Sequence, residues 1–342
     1  MREAVIFGAS GYSGLELLRL LARHPEARVV AASSDRFAGQ SLASHVAQWS
    51  TDQTFAPHAE VAEAAPEGGV AFLATPATTS HELAPKLIER GLDVIDLSGG
   101  FRLERPADFV EWYGFEHTRE DLLGQAGYGL PELFEFPEGR PALVANPGCY
   151  ATAAIMAVAP LLQSGLLDLD APIIMDGKSG ATGAGRKVSE ALMFSDVAET
   201  VRPYRLARHQ HTPEIERFAT QIAGDEVKVS FTAHLLPIRR GLIVSAYARG
   251  RAGLDQAAID AAYQRAYGDR PFVRVVEQPH PGAVVFTNNC DVRAVLDERT
   301  GTVLAFGAID NLGKGAAGQA VQNLNRLLGL PEHTGLRAGG AA

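Results

Sequence analysis

The chain is poor in cysteine. Its 342 residues include only Cys149 and Cys290, too few for a disulfide framework, which points to a reducing, cytoplasmic compartment. It also lacks any apolar run of the roughly 18–20 residues that cross a bilayer, so no membrane role is expected. No signal peptide is visible, since Met1-Arg2-Glu3 leads straight into a strand-like run. Positive charge is in deficit: Lys plus Arg is 31, Asp plus Glu is 40, and the net charge is −9. Nucleic-acid binding needs a basic surface, so no such partner is expected. There is no internal repeat, coiled-coil heptad or long charge run. What remains has the make-up of a globular protein, 46% hydrophobic and 21% charged, which excludes a disordered chain. The length corresponds to about two to three domains.

The N-terminal third alternates strands and helices. AVIFGAS (4–10) reads as a buried parallel strand. Leu15, Leu17, Leu18, Leu21 and Ala22 recur at helical spacing until His24-Pro25, and RVVAASS (28–34) reads as a second strand. The turn between them carries Gly8, Gly11 and Gly14, with Ser10, Tyr12 and Ser13 interleaved. Glycines at a strand end that opens a helix let a pyrophosphate approach the backbone and the free N–H groups of the helix N-terminus. The alternative is a tight turn with no ligand. At the end of the second strand an acid would bind the ribose hydroxyl of NAD. Here Ser33, Ser34 and Arg36 suit a 2′-phosphate and favour NADP over NAD, with Asp35 arguing the other way. VAFLATP (70–76), SHELAPKLIERG (80–91) and LDVIDLSG (92–99) continue the alternation, which predicts an α/β, doubly wound parallel sheet. Ligands bind such sheets at the carboxyl ends of strands, where Thr75, Pro76 and Ser98 lie.

A second group of motifs begins at ALVAN (142–146), a strand followed by the Pro147-Gly148 turn, Cys149, and a helix that runs to Gly165. A thiol at a helix N-terminus is shifted toward the thiolate, the nucleophilic form, and the same amides can hold an oxyanion. An inert buried cysteine fits the position equally well. DGKSGATGAGRK (176–187) joins glycines and hydroxyls, among them Ser179 and Gly180, to the cations Lys178, Arg186 and Lys187. That composition suits an anion, although a plain flexible loop would read the same. In RHQHTPE (208–214), His209 and His211 have no metal-ligand spacing around them, so no metal is expected, and an acid–base partner for a cysteine is the better reading. Thr212 is placed to cap the following helix, with Pro213 and Glu214 in its first turn.

Farther on, EVKVSFTAHLLPI, RGLIVSAYARG, VVFTNNCDVRAVLD and GTVLAFGAID read as strands and 254–268 as a helix, an α+β domain with a mostly antiparallel sheet. His234 and Cys290 read as packing residues. The last helix, 313–328, has an apolar pattern suited to packing back on the first domain. The tail RAGGAA reads as disordered. The domains expected are therefore 1–145 with 310–342, and 146–309.

Taken together, GASGYSGLELLRLL (8–21), DLSGGFRL (96–103), YGLPEL (128–133), NPGCYATA (146–153), SGATGAGRK (179–187), HQHTPEIE (209–216) and AIDNLGKGAAGQAVQNLN (308–325) resemble the N-acetyl-γ-glutamyl-phosphate reductase family. These are NADPH enzymes of arginine biosynthesis, similar in turn to aspartate-semialdehyde dehydrogenase. The chain has Gln210 where the family often has arginine. The resemblance implies a Rossmann-type domain for NADP and a catalytic and oligomerisation domain, in a homodimer or homotetramer acting on a small acyl phosphate. It implies Cys149 as nucleophile, His209 as a base titrating near neutrality, and His211 beside the substrate. It also implies Gly11 to Gly14 at the pyrophosphate, Asn311 near the nicotinamide and Arg102 on the substrate side. Ser179, Arg186 and Lys187 are expected at the substrate phosphate and Gly180 at the cofactor. Reduction of aspartyl phosphate or of a carrier-bound glutamyl or aminoadipyl phosphate is the alternative reaction. A dinucleotide-binding sensor without turnover is the alternative class, one that would need neither Cys149 nor His209.

Overall fold

The computed structural model describes residues 1–136 and 140–337, so residues 338–342 of the expected disordered tail lie outside the described residues. The chain divides into two compact units, Met1–Gly148 with Ala316–Leu336, and Cys149–Gly315 with Arg337. The crossings fall at 148/149 and 315/316 rather than at 145/146 and 309/310. Asn146 belongs to the first unit because its N–H donates to the Asp96 carbonyl at 2.9 Å. Asp310 belongs to the second because both its carboxylate oxygens accept from Arg240 Nε at 2.6 Å.

The first unit runs β1 (Arg2–Phe7), α1 (Tyr12–Leu21), β2 (Ala27–Ala32), α2 (His58–Ala64), β3 (Val70–Leu73), α3 (Ala77–Glu89), β4 (Asp93–Asp96), α4 (Pro106–Tyr113), α5 (Glu120–Leu123), β5 (Gly127–Tyr128) and β6 (Leu143–Ala145). Its strands form one six-stranded sheet in the order β2-β1-β3-β4-β6-β5, parallel throughout. β1 and β3 are buried on both faces, as near-continuous apolar runs require. One face packs Leu17, Leu18 and Leu21 of α1 and the chain's last helix; the other packs Ala84 and Leu87 of α3 and Phe109 of α4.

The second unit runs α6 (Cys149–Gln163), β7 (Ile173–Gly180), α7 (Phe194–Val197), β8 (Arg202–Tyr204), α8 (Thr212–Ala223), β9 (Val229–Leu236), β10 (Leu242–Arg249), α9 (Gln256–Tyr267), β11 (Val273–Val275), β12 (Cys290–Asp297) and β13 (Thr302–Ile309). Its seven-stranded sheet has the order β11-β12-β13-β10-β7-β9-β8. Only the β11–β12 and β7–β9 pairs are parallel. α6 is buried from Tyr150 to Leu162. It lies so close to the sheet that a Cβ on Gly307 would meet the Ala153 carbonyl at 2.3 Å.

Two elements depart from the sequence reading. VVFTNN (284–289) is not strand: Thr287, Asn288 and Asn289 are buried, and Phe286 has φ 63°, which no β ladder accepts. The last helix begins as a π-turn at Gly313–Ala317 and becomes α10 (Gly318–Leu327). α10 belongs to the first unit, and its buried faces carry amides as well as apolar groups. Asn323 Nδ2 donates to the Gly129 carbonyl and to Asn146 Oδ1. Gln322 Nε2 donates to Glu132 and Glu332, and Asn325 bonds His24.

Candidate active site

In the first unit the glycine turn is shaped by close backbone packing. Gly8 has φ 71°, and a Cβ there would meet the Ala74 carbonyl at 2.4 Å; a Cβ on Gly14 would meet the Gly8 carbonyl at 2.4 Å. Gly11 differs, because only the Gly8 carbonyl, at 3.4 Å, lies near its Cβ position. It heads α1 with no side-chain cap and no acid in the first turn, leaving that end open to an anion. Ser10 Oγ lies 2.7 Å from Ser34 Oγ, tying the turn to the end of β2. Ser33 is buried, with its hydroxyl 2.7 Å from His58 Nδ1. Asp35, the residue that argued for NAD, accepts the His58 amide at 2.9 Å. Arg36 lies over the Phe37 ring at 5.0 Å. The open helix end, the serine hydroxyls and the guanidinium fit a dinucleotide with a 2′-phosphate.

The other predicted residues of this unit are drawn into its own framework. Thr75 Oγ1 pairs with Ser80 Oγ at 2.8 Å, and Pro76 is the N-cap of α3. Ser98 Oγ donates to Asp96 at 2.8 Å and accepts the Gly100 amide. Burial raises the Asp96 carboxyl, and the Ser98 hydrogen bonds oppose that rise. Arg102 is 5% exposed. Its Nε donates to the Asn146 carbonyl and an NH2 to the Leu97 carbonyl, both at 2.7 Å. Arg102 thus grips the turn that precedes Cys149.

In the second unit Cys149 is the first residue of α6 and half-buried. Against Gly315 the clearance is small, as a Cβ there would lie 2.8 Å from Cys149 Cβ. Tyr150, which sequence reasoning did not single out, is the hub. Its ring stands edge-on to His209 at 5.4 Å, to His211 at 6.0 Å and to Phe231 at 5.3 Å. Its hydroxyl donates to the His234 carbonyl at 3.0 Å, and the Tyr204 hydroxyl donates to it at 3.4 Å. Tyr204 also stands edge-on to His209 at 5.6 Å. Burial is the main cause that pushes both phenols up, Tyr204 to about 12.

His209 is 3% exposed. The His211 N–H donates to His209 Nδ1 at 3.2 Å, so the neutral ring carries its proton on Nε2. Burial, with Arg205 adding to it, lowers the imidazole to about 4. The expectation of titration near neutrality is therefore corrected, because desolvation disfavours the charged ring. Thr212 is not the cap of α8; His211 is the N-cap residue, and Glu214 is buried in the first turn.

The glycine-rich segment is only half loop, since Asp176 to Gly180 lie in β7. A Cβ on Gly177 would meet the Tyr150 ring at 2.5 Å, and one on Gly180 would meet the Arg240 amide at 2.8 Å. Ser179 is buried, while Arg186 and Lys187 are exposed. Asn311 is 3% exposed. Its Oδ1 accepts the Gly241 amide at 2.8 Å and its Nδ2 donates to Thr182 Oγ1 at 2.9 Å. It braces the backbone turns that follow β7 and β9.

The structure thus gathers Cys149, Tyr150, Ser179, Tyr204, His209, His211 and Asn311 in one unit, and the glycine turn, the serine pair, Arg36 and Arg102 in the other. Among the described residues no group of His, Cys, Asp and Glu could hold a metal ion, and no helix is long and apolar enough to cross a membrane.

Comparison with known proteins decides the family. Over 348 residues the chain is 42% identical to the N-acetyl-gamma-glutamyl-phosphate reductase of Moorella thermoacetica, covering 99% of both chains. It is 44% identical over 344 residues to that of Thermus thermophilus, covering 97% of both. The chain belongs to the N-acetyl-γ-glutamyl-phosphate reductase family. Residues 3–137 match the semialdehyde dehydrogenase NAD binding domain and 149–311 the semialdehyde dehydrogenase dimerisation domain. The fold is also that of aspartate semialdehyde dehydrogenase II from Vibrio cholerae, with TM-score 0.71, 18% identity, and 96% and 99% of the two chains covered.

Within this reductase family member, the residues that sequence reasoning missed are Tyr150, Tyr204 and the Arg240–Asp310 pair. Tyr150 stood inside the quoted NPGCYATA motif, so adjacency to Cys149 was its one signal. Asp310 stood likewise inside AIDNLGKGAAGQAVQNLN, beside Asn311, whereas Tyr204 and Arg240 carry no such signal.

Proposed function

We propose that this chain reduces N-acetyl-γ-glutamyl phosphate with NADPH, giving N-acetylglutamate semialdehyde, phosphate and NADP+, in arginine biosynthesis. The observation that carries the reading is Cys149, half-buried as first residue of a buried helix, with Tyr150 linking it to His209 and His211. The identity with named reductases over the full chain supports the choice of substrate.

Cys149 attacks the acyl carbon as thiolate; the bond from carbon to phosphate oxygen breaks, phosphate leaves, and a thioester remains. When bound, NADPH supplies the hydride that carries the thioester to the aldehyde level. Collapse of the resulting thiohemiacetal frees the aldehyde and returns the Cys149 thiolate. The first-turn amides of α6 hold the tetrahedral oxyanion, worth about 3–4 kcal/mol per donor. His209, neutral with its proton on Nε2, donates to developing negative charge and then takes up a proton. Tyr150 and Tyr204 stay protonated and hold that ring upright. Arg186 and Lys187 meet the substrate phosphate beside Ser179, and His211 flanks the substrate. Gly8, Ser10, Gly11, Tyr12, Ser13 and Gly14 take the pyrophosphate, and Ser33, Ser34 and Arg36 the 2′-phosphate, with Thr75, Pro76, Ser98 and Gly180 lining the rest. Arg102 and Asn311 are read as positioning residues, the first holding the turn before Cys149.

The protein is proposed to work as a homodimer or homotetramer in the cytoplasm. Ile174, Tyr247, Leu304 and Val295 form one row across four neighbouring strands of the seven-stranded sheet, and none is buried. That apolar row fits a second copy of the sheet.

The test is the reverse reaction: phosphate-dependent NADP reduction with N-acetylglutamate semialdehyde and aspartate semialdehyde side by side, and Cys149→Ser as blank. Activity on the acetylated compound is expected. Activity on the aspartyl compound alone would keep the thioester chemistry and overturn the substrate. Silence on both, with NADPH still bound, would shift the reading to a carrier-bound substrate or a sensor.

A further inference from the structure

One stretch of the second unit has no core of its own. From Gly183 to Arg208 no residue is buried. The same stretch holds large apolar side chains in water: Val188 is 84% exposed and Phe194 87%, with Met193, Val201 and Leu206 also exposed. Its regular structure is fragmentary, a 3-10 turn at Glu190–Leu192 followed by α7 and β8. Three of its non-glycine residues, Glu199, Arg205 and Ala207, hold φ of 59°, 49° and 54°. Side chains with Cβ avoid that region unless their surroundings fix them there. Apolar exposure and left-handed backbone are independent observations, and both ask for a covering surface.

We propose that residues 188–208, beyond the Arg186–Lys187 pair, dock on the same stretch of a second copy of this chain, and that this contact fixes the backbone carrying the candidate catalytic groups. The charge pattern selects a like partner. After the basic pair Arg186 and Lys187, the acids Glu190, Asp196 and Glu199 precede the bases Arg202, Arg205 and Arg208. A two-fold axis passing between Glu199 and Arg202 sets Asp196 and Glu199 of one copy against Arg202 and Arg205 of the other. The stretch also lies wholly within the segment that matches a dimerisation domain. Its near end continues from Ser179 and Gly180; its far end holds Tyr204 against His209 and then becomes His209. A partner that fixes the stretch therefore fixes the ring on which proton transfer depends. This inference rests on the self-association proposed above and adds a contact separate from the sheet face.

Sedimentation equilibrium of the full chain and of Phe194→Asp tests it, with circular dichroism confirming that the exposed substitution leaves the fold intact. The variant is expected to form a smaller assembly and to lose about 10-fold or more in kcat/KM, because the site's backbone is no longer held. Phe194→Leu should restore both. Ser195→Cys, in a Cys149→Ser background, should form an intermolecular disulfide under mild oxidation, whereas Val110→Cys, exposed on the first unit, should not. Unchanged mass with no cross-link overturns the proposal. So does unchanged mass with lost activity, which would assign the stretch to its own chain. A monomeric parent protein overturns it together with the sheet-face contact. Mass and cross-linking are read without substrate, so failure of the proposed reaction leaves this test intact.

Discussion

The molecule has two glycine-rich segments that look alike in sequence and differ in structure. In the turn from Gly8 to Gly14, two glycines admit close backbone contacts, and the third, Gly11, faces open space at the head of α1. From Gly177 to Gly183 the nearest neighbours are instead the Tyr150 ring, the Arg240 backbone and the Ser179 hydroxyl. The first segment leaves backbone N–H groups available to a ligand. The second removes side chains so that an aromatic hub and two turns can pack. A run of glycines is thus no anion site by itself; what matters is whether the missing Cβ would have met protein or open space.

The largest effect expected from separating these regions is at Cys149. Cys149→Ser should lower turnover by about 10⁴-fold or more while NADPH still quenches protein fluorescence with its parent affinity. Loss of cofactor binding in that variant would erase the division of labour. At Gly177→Ala, the new methyl against Tyr150 should cost about 1–3 kcal/mol in urea unfolding and lower kcat, with cofactor affinity unchanged. Gly11→Ala should show the reverse, with stability within about 0.5 kcal/mol of the parent and NADPH Kd raised about 10-fold. Equal responses at the two glycines would break the comparison.

A protonation feature that the two units share, with different consequences for turnover, sharpens it further. His209 in one unit and His117 in the other are both held at about 4, mainly by burial. Unfolded, each titrates near 6.5. Between about pH 6.5 and 4 the unfolded chain binds more protons, so stability falls as pH falls through that window and levels off below it. Each ring accounts for about 1–3 kcal/mol of the loss. His117→Gln and His209→Asn should each flatten the stability profile measured by urea unfolding at pH 7 and pH 4.5. Only His209→Asn should also depress kcat at neutral pH. The smallest effect is at Asn311→Ala, which deletes two hydrogen bonds and should cost about 1–2 kcal/mol.

Much of this was legible in the chain. The strand-turn-helix around Gly8 and the strand-turn-helix around Cys149 are local patterns, set by apolar period and turn residues within a few positions. The hydroxyl chain from Tyr204 through Tyr150 to the His234 carbonyl was not. It exists because β9 lies beside β7 and β8 pairs on its outer side, a consequence of long-range pairing. The family resemblance put Arg102 on the substrate side; the two backbone carbonyls at 97 and 146 that take its N–H groups were not legible. The last helix was read from its apolar pattern alone, whereas Asn323 and Gln322 also turn inward, to buried partners far away in sequence.

The last helix also sets the order in which the protein can be made. α10 is the last regular element among the described residues, and it packs on α1, one of the first. Helix α6 meanwhile lies against β10 and β13, which are translated well after it. During synthesis, then, neither unit can close early: the first waits for its C-terminal helix, and the second holds an almost wholly apolar helix without its cover. A ribosome-bound chain ending near residue 230 would present α6 to chaperones; emergence of β13 lets the second core form, and emergence of α10 completes the first.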